Sequence, residues 1–390
     1  MKKIHRETLA IRGERVSSAY NEHAQALYLS SSFTFKTAQE AQELFLGERA
    51  GYTYSRTANP NVDAFAMRLA SLEGAERGIA TATGMAAIQA VFMSFMQAGD
   101  HLLASKSLFG SSIGLINTLH RYGIAVDFVN QNDLSQWQDK IRPNTKILFV
   151  ENVSNPLCEI ADLNSLANIA HQNNALLVVD NSFCTPVVQQ PLLFGADLSV
   201  SSATKGIDGQ GRVMGGAICG ASALIDTVWG HIRTSGEVLS PFNAWVLSSG
   251  LETLFVRMEK QCANALELAL WLQNQPQVEK VYYPFLPDFP QYELARKQQT
   301  MGGIVLSFAV VGGKDNAWKV VDNVELFSRT GNLGDVRSTI THPYTTTHAR
   351  VDDKEKIACG ITSNLLRLSV GLEHIDDLKD DLYNVLSKLD

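Results

Sequence analysis

Leu198-Ser-Val-Ser-Ser-Ala-Thr-Lys205-Gly206 decides how the rest of the chain is read. A short apolar run ends in hydroxyl residues, then an amine, then glycine. This is the pattern of a buried strand whose carboxyl end delivers Lys205 into a turn at Gly206, with Ser201, Ser202 and Thr204 beside it. An amine among hydroxyls on a sharply turning backbone suits a Schiff base with an aldehyde that also carries a phosphate. A surface lysine at a strand end would look the same over so short a span, so the surroundings must choose.

Working outward, Leu176-Leu-Val-Val-Asp180 ends an apolar run in a carboxylate, 25 residues before Lys205. Similar runs occupy His101–Ala104, Ala125–Val129, Lys146–Val150, Ala175–Val179 and Asp197–Val200. Helical periodicity lies between them, in Val62–Leu72, Ala86–Met96, Phe109–Tyr122 and Leu163–Gln172. Near-continuous apolar runs alternating with helices predict a mostly parallel sheet covered on both faces. Ligands in such sheets sit at the carboxyl ends of the strands. Glu151, Asn155, Asp180 and Lys205 all fall just past an apolar run.

Each candidate has its own chemistry. A carboxylate at a dry strand end calls for a cation, and for Asp180 a protonated pyridine nitrogen would serve, as would a helix cap or a salt bridge. Thr83-Gly84-Met85 opens an apolar helix, whose free backbone N–H groups favour an anion. Tyr54-Ser-Arg56 pairs a phenol with a guanidinium suited to bidentate phosphate contacts. Arg367, inside Leu365-Leu-Arg-Leu-Ser-Val370, calls for a carboxylate from a substrate or from an internal partner.

The 390 residues suggest two or three structural units. Residues 1–57 have only short apolar clusters and read as an arm lying against another subunit; residues 58–250 form the sheet-bearing domain. A long helix from Leu251 to Leu272 leads into a smaller C-terminal domain, 251–390, with strand-like Gly303–Phe308 and Leu365–Val370 and a terminal helix after Glu373. Apolar content of 45% and a net charge of −7 are those of a soluble globular protein and exclude a general nucleic-acid binder. Met1-Lys-Lys-Ile-His-Arg-Glu has no apolar stretch behind it and no run reads as a membrane span, so a cytoplasmic location is expected. Five scattered cysteines form no C-x-x-C pair, and the spacing of His342 and His348 is unlike a helical metal pair; no metal is expected.

The ordered motifs resemble the cystathionine γ-synthase, or Cys/Met metabolism, family of pyridoxal-phosphate enzymes. They are Tyr54-Ser-Arg56, Thr83-Gly84-Met85, Glu151-Asn-Val-Ser-Asn155-Pro156, Val179-Asp180-Asn181-Ser-Phe-Cys-Thr-Pro186, Ser202-Ala-Thr204-Lys205 and Arg367-Leu-Ser-Val-Gly-Leu-Glu373. The resemblance implies the aspartate aminotransferase-like α/β fold (fold type I), with a smaller C-terminal α/β domain. It implies pyridoxal 5'-phosphate bound to Lys205, with Asp180 at the pyridine nitrogen. Gly84, Met85, Ser202 and Thr204 would hold the phosphate; Tyr54 and Arg56 would reach the phosphate of a neighbouring subunit, in dimers within a homotetramer. Asn155 and Arg367 would bind the substrate carboxylate, with Thr347 supporting Arg367.

Two departures mark out a branch. Where the family usually stacks a tyrosine on the cofactor, this chain has Phe109, which can stack but cannot exchange a proton. The usual Ser-Leu-Gly reads Asn332-Leu-Gly334, and Gly331 stands where many relatives that grip the distal amine of cystathionine have glutamate. With Ser111 in place of the cysteine usual in methionine γ-lyases, the pattern is similar to the O-succinylhomoserine sulfhydrylase branch, placing Asn332 near the substrate. That implies O-succinylhomoserine and sulfide as small-molecule substrates; cystathionine γ-synthase, O-acetylhomoserine sulfhydrylase and γ-lyase activities are the alternatives. Arg49 and Lys106 are positional candidates for the distal succinyl carboxylate.

Overall fold

The computed structural model describes residues 4–13 and 18–389; residues 1–3 and 14–17 of the expected arm, with Asp390, lie outside the described residues. The apolar runs assemble into two sheets. The first contains β1 (Arg77–Thr81), β2 (His101–Ser105), β3 (Ala125–Val129), β4 (Thr145–Glu151), β5 (Leu176–Asp180), β6 (Leu198–Ser201) and β7 (Gly216–Gly220). Their spatial order is β1-β7-β6-β5-β4-β2-β3. Strands β3, β2, β4, β5 and β6 run parallel, while β7 is antiparallel to both its neighbours.

Period-two alternation sends successive side chains into two separate cores. Leu102, Ala104, Phe149, Val178 and Val200 pack with the helix Gly84–Phe95. Leu103, Leu148, Val150, Leu177 and Val179 pack with the helix Leu163–Gln172. Each fully buried Leu or Phe here contributes roughly 2 kcal/mol through burial. With both faces covered, polar residues find room only at the strand ends, where Glu151 and Asp180 stand in register.

The second sheet contains β8 (Val278–Tyr282), β9 (Val305–Val310), β10 (Ser328–Arg329), β11 (Thr339–Thr341) and β12 (Leu365–Ser369), in the order β10-β11-β12-β9-β8. Its pairings are antiparallel apart from β10 with β11. Strand β12 sits between β11 and β9, and so carries Arg367 into the middle of this sheet.

One element differs from the sequence reading. The helix expected from Leu251 to Leu272 is two helices, Pro241–Glu252 and Leu254–Gln273, parted at Thr253, whose backbone leaves helical angles (φ −109°, ψ 6°). The Thr253 hydroxyl accepts a hydrogen bond from Arg257 Nε at 3.2 Å. Strands β1 and β8 were hidden from pattern reading. Two of the five residues in Arg77-Gly-Ile-Ala-Thr are glycine or alanine, and Val278-Glu-Lys-Val-Tyr exposes its charged residues. Cys158, Cys184, Cys219 and Cys262 are buried thiols. Among the described residues, no helix is long and apolar enough to cross a membrane.

Candidate active site

The carboxyl ends of β4, β5 and β6 face the loop between β10 and β11 and the middle of β12, and the site lies where they meet. Asp180 ends β5 with its side chain buried. Ser182, two residues on, donates to Asp180 Oδ1 through its hydroxyl at 2.5 Å and its N–H at 3.0 Å. The same hydroxyl accepts from the Ser202 N–H at 2.7 Å, tying the end of β5 to the segment leading to Lys205. Burial raises the Asp180 carboxyl above its ordinary range, opposed by Ser182 and by Lys205.

Lys205 leaves β6 through a tight turn packed from two sides. Gly334, at φ +82°, lies so close that a Cβ there would stand 2.6 Å from Gly206 N and 2.8 Å from Lys205 C. From the other side the buried Arg257 donates to the carbonyls of Gly206 (2.7 Å), Ile207 (3.0 Å) and Gly250 (2.8 Å). The amine is therefore aimed by its backbone. Lys205 Nζ donates to Asn332 Oδ1 at 2.7 Å. Burial lowers its pKa to about 8, with Arg367 acting in the same direction and Asp180 opposing.

Arg367 is buried and completes the far wall. Its Nη1 donates to Asn155 Oδ1 at 3.1 Å and its Nη2 to the Gly331 carbonyl at 2.9 Å. Its Nε has no hydrogen-bond partner among the described residues. A buried guanidinium with an unanswered N–H, and only neutral acceptors at its other nitrogens, is a receptor for a carboxylate. Thr347 does not bond Arg367; its hydroxyl meets His348 Nδ1 at 3.0 Å, and its methyl stands beside Gly331.

The anion cradle is formed where the helix Gly84–Phe95 meets Ser202. Thr83 caps that helix by accepting from Ala86 N–H. A Cβ on Gly84 would stand 2.6 Å from Ser202 Cβ and 2.9 Å from Ser202 Cα, so only glycine allows this approach. Met85 follows in the first turn, packed on the core below. Thr204 Oγ1 is engaged with Gly215, accepting from its N–H at 3.1 Å. Lysine amine, buried carboxylate, helix N-terminus, hydroxyls and carboxylate receptor together fit pyridoxal 5'-phosphate and an amino acid.

Other candidates lie elsewhere. Arg56 bonds the Arg233 carbonyl and rests over the half-exposed Tyr54 ring, beside a groove walled by Trp229, Asp63 and Arg77. Among the described residues, neither makes a hydrogen bond to Lys205, Ser202 or Thr204. Arg49 is taken up by Glu40 (3.3 Å) and Glu43 (3.8 Å). Lys106 lines a cavity of about 310 Å³ beside Asn155 and the buried His348. Burial pushes the His348 imidazole down to about 4, which keeps it neutral. Sequence reading missed Ser182, Arg257 and His348 as members of this neighbourhood. For Arg257, a charge on the buried face of an apolar-periodic helix was the available signal.

The geometry is that of a fold type I enzyme dependent on pyridoxal 5'-phosphate. The chain belongs to the Cys/Met metabolism PLP-dependent enzyme family, which matches residues 7–387. An O-succinylhomoserine sulfhydrylase from Pseudomonas aeruginosa is 50% identical over 384 residues, covering 98% of this chain and 95% of the relative. An L-methionine gamma-lyase from Porphyromonas gingivalis is 39% identical over 386 residues, covering 98% and 97%. A solved structure from Campylobacter jejuni, with N'-pyridoxyl-lysine-5'-monophosphate at its position 205, superposes with a TM-score of 0.95 at 32% identity, covering 99% of this chain and 100% of that one.

Proposed function

We propose that this chain catalyses γ-replacement, converting O-succinyl-L-homoserine and sulfide to L-homocysteine and succinate. The observation that carries this reading is the Gly331-Asn332 turn. It faces Lys205 and Arg367 with a carbonyl and an amide, and offers no carboxylate to hold the amine of a larger amino-acid nucleophile. The likeness to relatives named O-succinylhomoserine sulfhydrylase supports it.

Bound pyridoxal 5'-phosphate supplies an electron sink for the charge that develops at the substrate Cα. Lys205 would seat it, Asp180 would pair with its pyridine nitrogen, and Phe109 would stack on its ring. Gly84, Met85, Ser202 and Thr204 would hold its phosphate, joined by Tyr54 and Arg56 of a neighbouring subunit. Arg367 and Asn155 bind the substrate carboxylate, and Asn332 lies beside the reacting chain. Lys205 Nζ would take the proton from the substrate Cα; a pKa near 8 lets it accept and return protons near neutrality. Lys205 Nζ would carry the Cβ proton as well, and over the whole reaction the Cγ–O bond to succinate is exchanged for a Cγ–S bond to hydrosulfide. Lys205 returns the protons as homocysteine leaves. Phe109 cannot share this work, so Lys205 and water carry it.

The reading includes an arm (residues 1–57) that contacts a neighbouring subunit, domains at 58–250 and 251–390, a homotetramer and a cytoplasmic location. Its test is a product assay of the purified enzyme with O-succinyl- or O-acetylhomoserine and sulfide, cysteine or no nucleophile. Homocysteine from the succinyl ester and sulfide, at the highest kcat/KM, is the expected result. Cystathionine as main product, or 2-oxobutyrate formed equally fast with sulfide present, would refute it.

A further inference from the structure

Glu151 ends β4 with a side chain only 3% exposed, in register with Asp180. The functional reading above gives it no task. A buried carboxylate beside a second carboxylate is costly, and a fold retains a side chain there where its acceptor oxygen makes a contact the structure needs. Burial raises the Glu151 carboxyl well above its ordinary range, and Asp180 adds to this; the Phe109 N–H and the Arg367 guanidinium pull the other way.

The contact is specific. Glu151 Oε2 accepts a hydrogen bond from the Phe109 N–H at 2.7 Å. Phe109 is the residue before the helix Gly110–Thr118, and its side chain has no oxygen with which to cap that helix. Ser, Thr, Asp or Asn usually stands there and ties down the start of the helix. Here the anchoring acceptor comes from a strand end 42 residues away. Opposite it, a Cβ on Gly110 would stand 2.9 Å from the Thr347 carbonyl, so the backbone next to Phe109 is confined there too.

We infer that Glu151 is a positioning residue: its hydrogen bond to the Phe109 N–H fixes the backbone from which that ring is presented to the cofactor. A phenylalanine ring has no hydroxyl to orient it, so the tilt of the ring is set by its backbone and packing alone. The inference rests on Phe109 stacking over pyridoxal 5'-phosphate, but it is independent of which acyl ester or nucleophile is used.

Two substitutions in the cofactor-saturated enzyme separate a hydrogen-bonding role from a charge role. Glu151→Gln keeps an acceptor at the same reach and removes the charge; Glu151→Asp keeps the charge and withdraws the acceptor by one methylene. The readout is the visible circular dichroism induced in the cofactor band, per bound cofactor, with kcat and KM beside it. E151Q is expected to retain the induced band and kcat to within twofold. E151D is expected to lose at least half of the band and about tenfold in kcat, with far-ultraviolet dichroism unchanged. Loss in E151Q with retention in E151D would assign the role to charge. Retention in both, or equal loss in both, would also overturn the inference. The F109A enzyme serves as the control. If its induced band equals that of the wild type, the stacking premise has failed; if F109A loses the band while E151D keeps it, the failure belongs to Glu151.

Discussion

The depressed proton affinity of Lys205 sets how fast the apoprotein captures its cofactor. Only the neutral amine attacks an aldehyde. With the pKa brought from 10.5 to about 8, a fall due first to burial and then to Arg367, roughly a quarter of the amine is neutral at pH 7.5, against about 0.1% for an ordinary lysine. Apoprotein mixed with pyridoxal 5'-phosphate in a stopped-flow spectrometer should therefore form its visible band at a rate that rises about tenfold per pH unit up to about pH 8 and then levels. Dividing by the rate constant per neutral amine of N-acetyl-lysine methylamide under the same conditions removes the cofactor's own titration. The sign extends to neighbours. Arg367→Met removes a cation that disfavours the charged amine and should move the break above 8. Asp180→Asn removes an anion that favours it and should move the break below 8. A profile that keeps climbing to pH 10, or a break unmoved by both substitutions, would refute the reasoning.

Two further outcomes follow from crowding and from burial. Gly84→Ala drives a Cβ to 2.6 Å from Ser202 and must part the helix from the strand end; cofactor Kd should rise at least tenfold, about 1.4 kcal/mol, in an absorbance titration with unchanged far-ultraviolet dichroism. Glu73 is fully buried, and burial raises its carboxyl from 4.5 to about 7. The folded state then holds this proton more tightly than the unfolded chain, so the contribution is intact below pH 4.5 and is lost as pH rises through about 7. The loss approaches roughly 3 kcal/mol. Glu73→Gln should match the wild type in urea midpoint at pH 4 and exceed it at pH 8; equal midpoints at both would contradict the assignment.

The sheet was legible because its strands are buried on both faces and their apolar runs are nearly unbroken; β4, β5 and β6 fall within a residue or two of where the pattern put them. Lys205, Asp180 and Asn155 were legible by the same logic, as polar groups just past dry segments, and Arg367 as a lone charge inside one. Contacts made by backbone atoms left little trace. Nothing in the type of residue 109 announces that its N–H meets Glu151, nor does Gly206 announce that its carbonyl meets Arg257. The helix break at Thr253 was masked because apolar residues keep their spacing on both sides of it. Tyr54 and Arg56 were singled out by type, yet within the chain they lie at a different groove from Lys205. Their proposed role therefore depends on a second subunit.

The central claim is that one amine carries the cofactor. Borohydride reduction of the holoenzyme, followed by proteolysis and peptide mass mapping, should place a single pyridoxyl phosphate on the peptide containing Lys205. Label on another lysine, or none despite a visible cofactor band, would contradict the account.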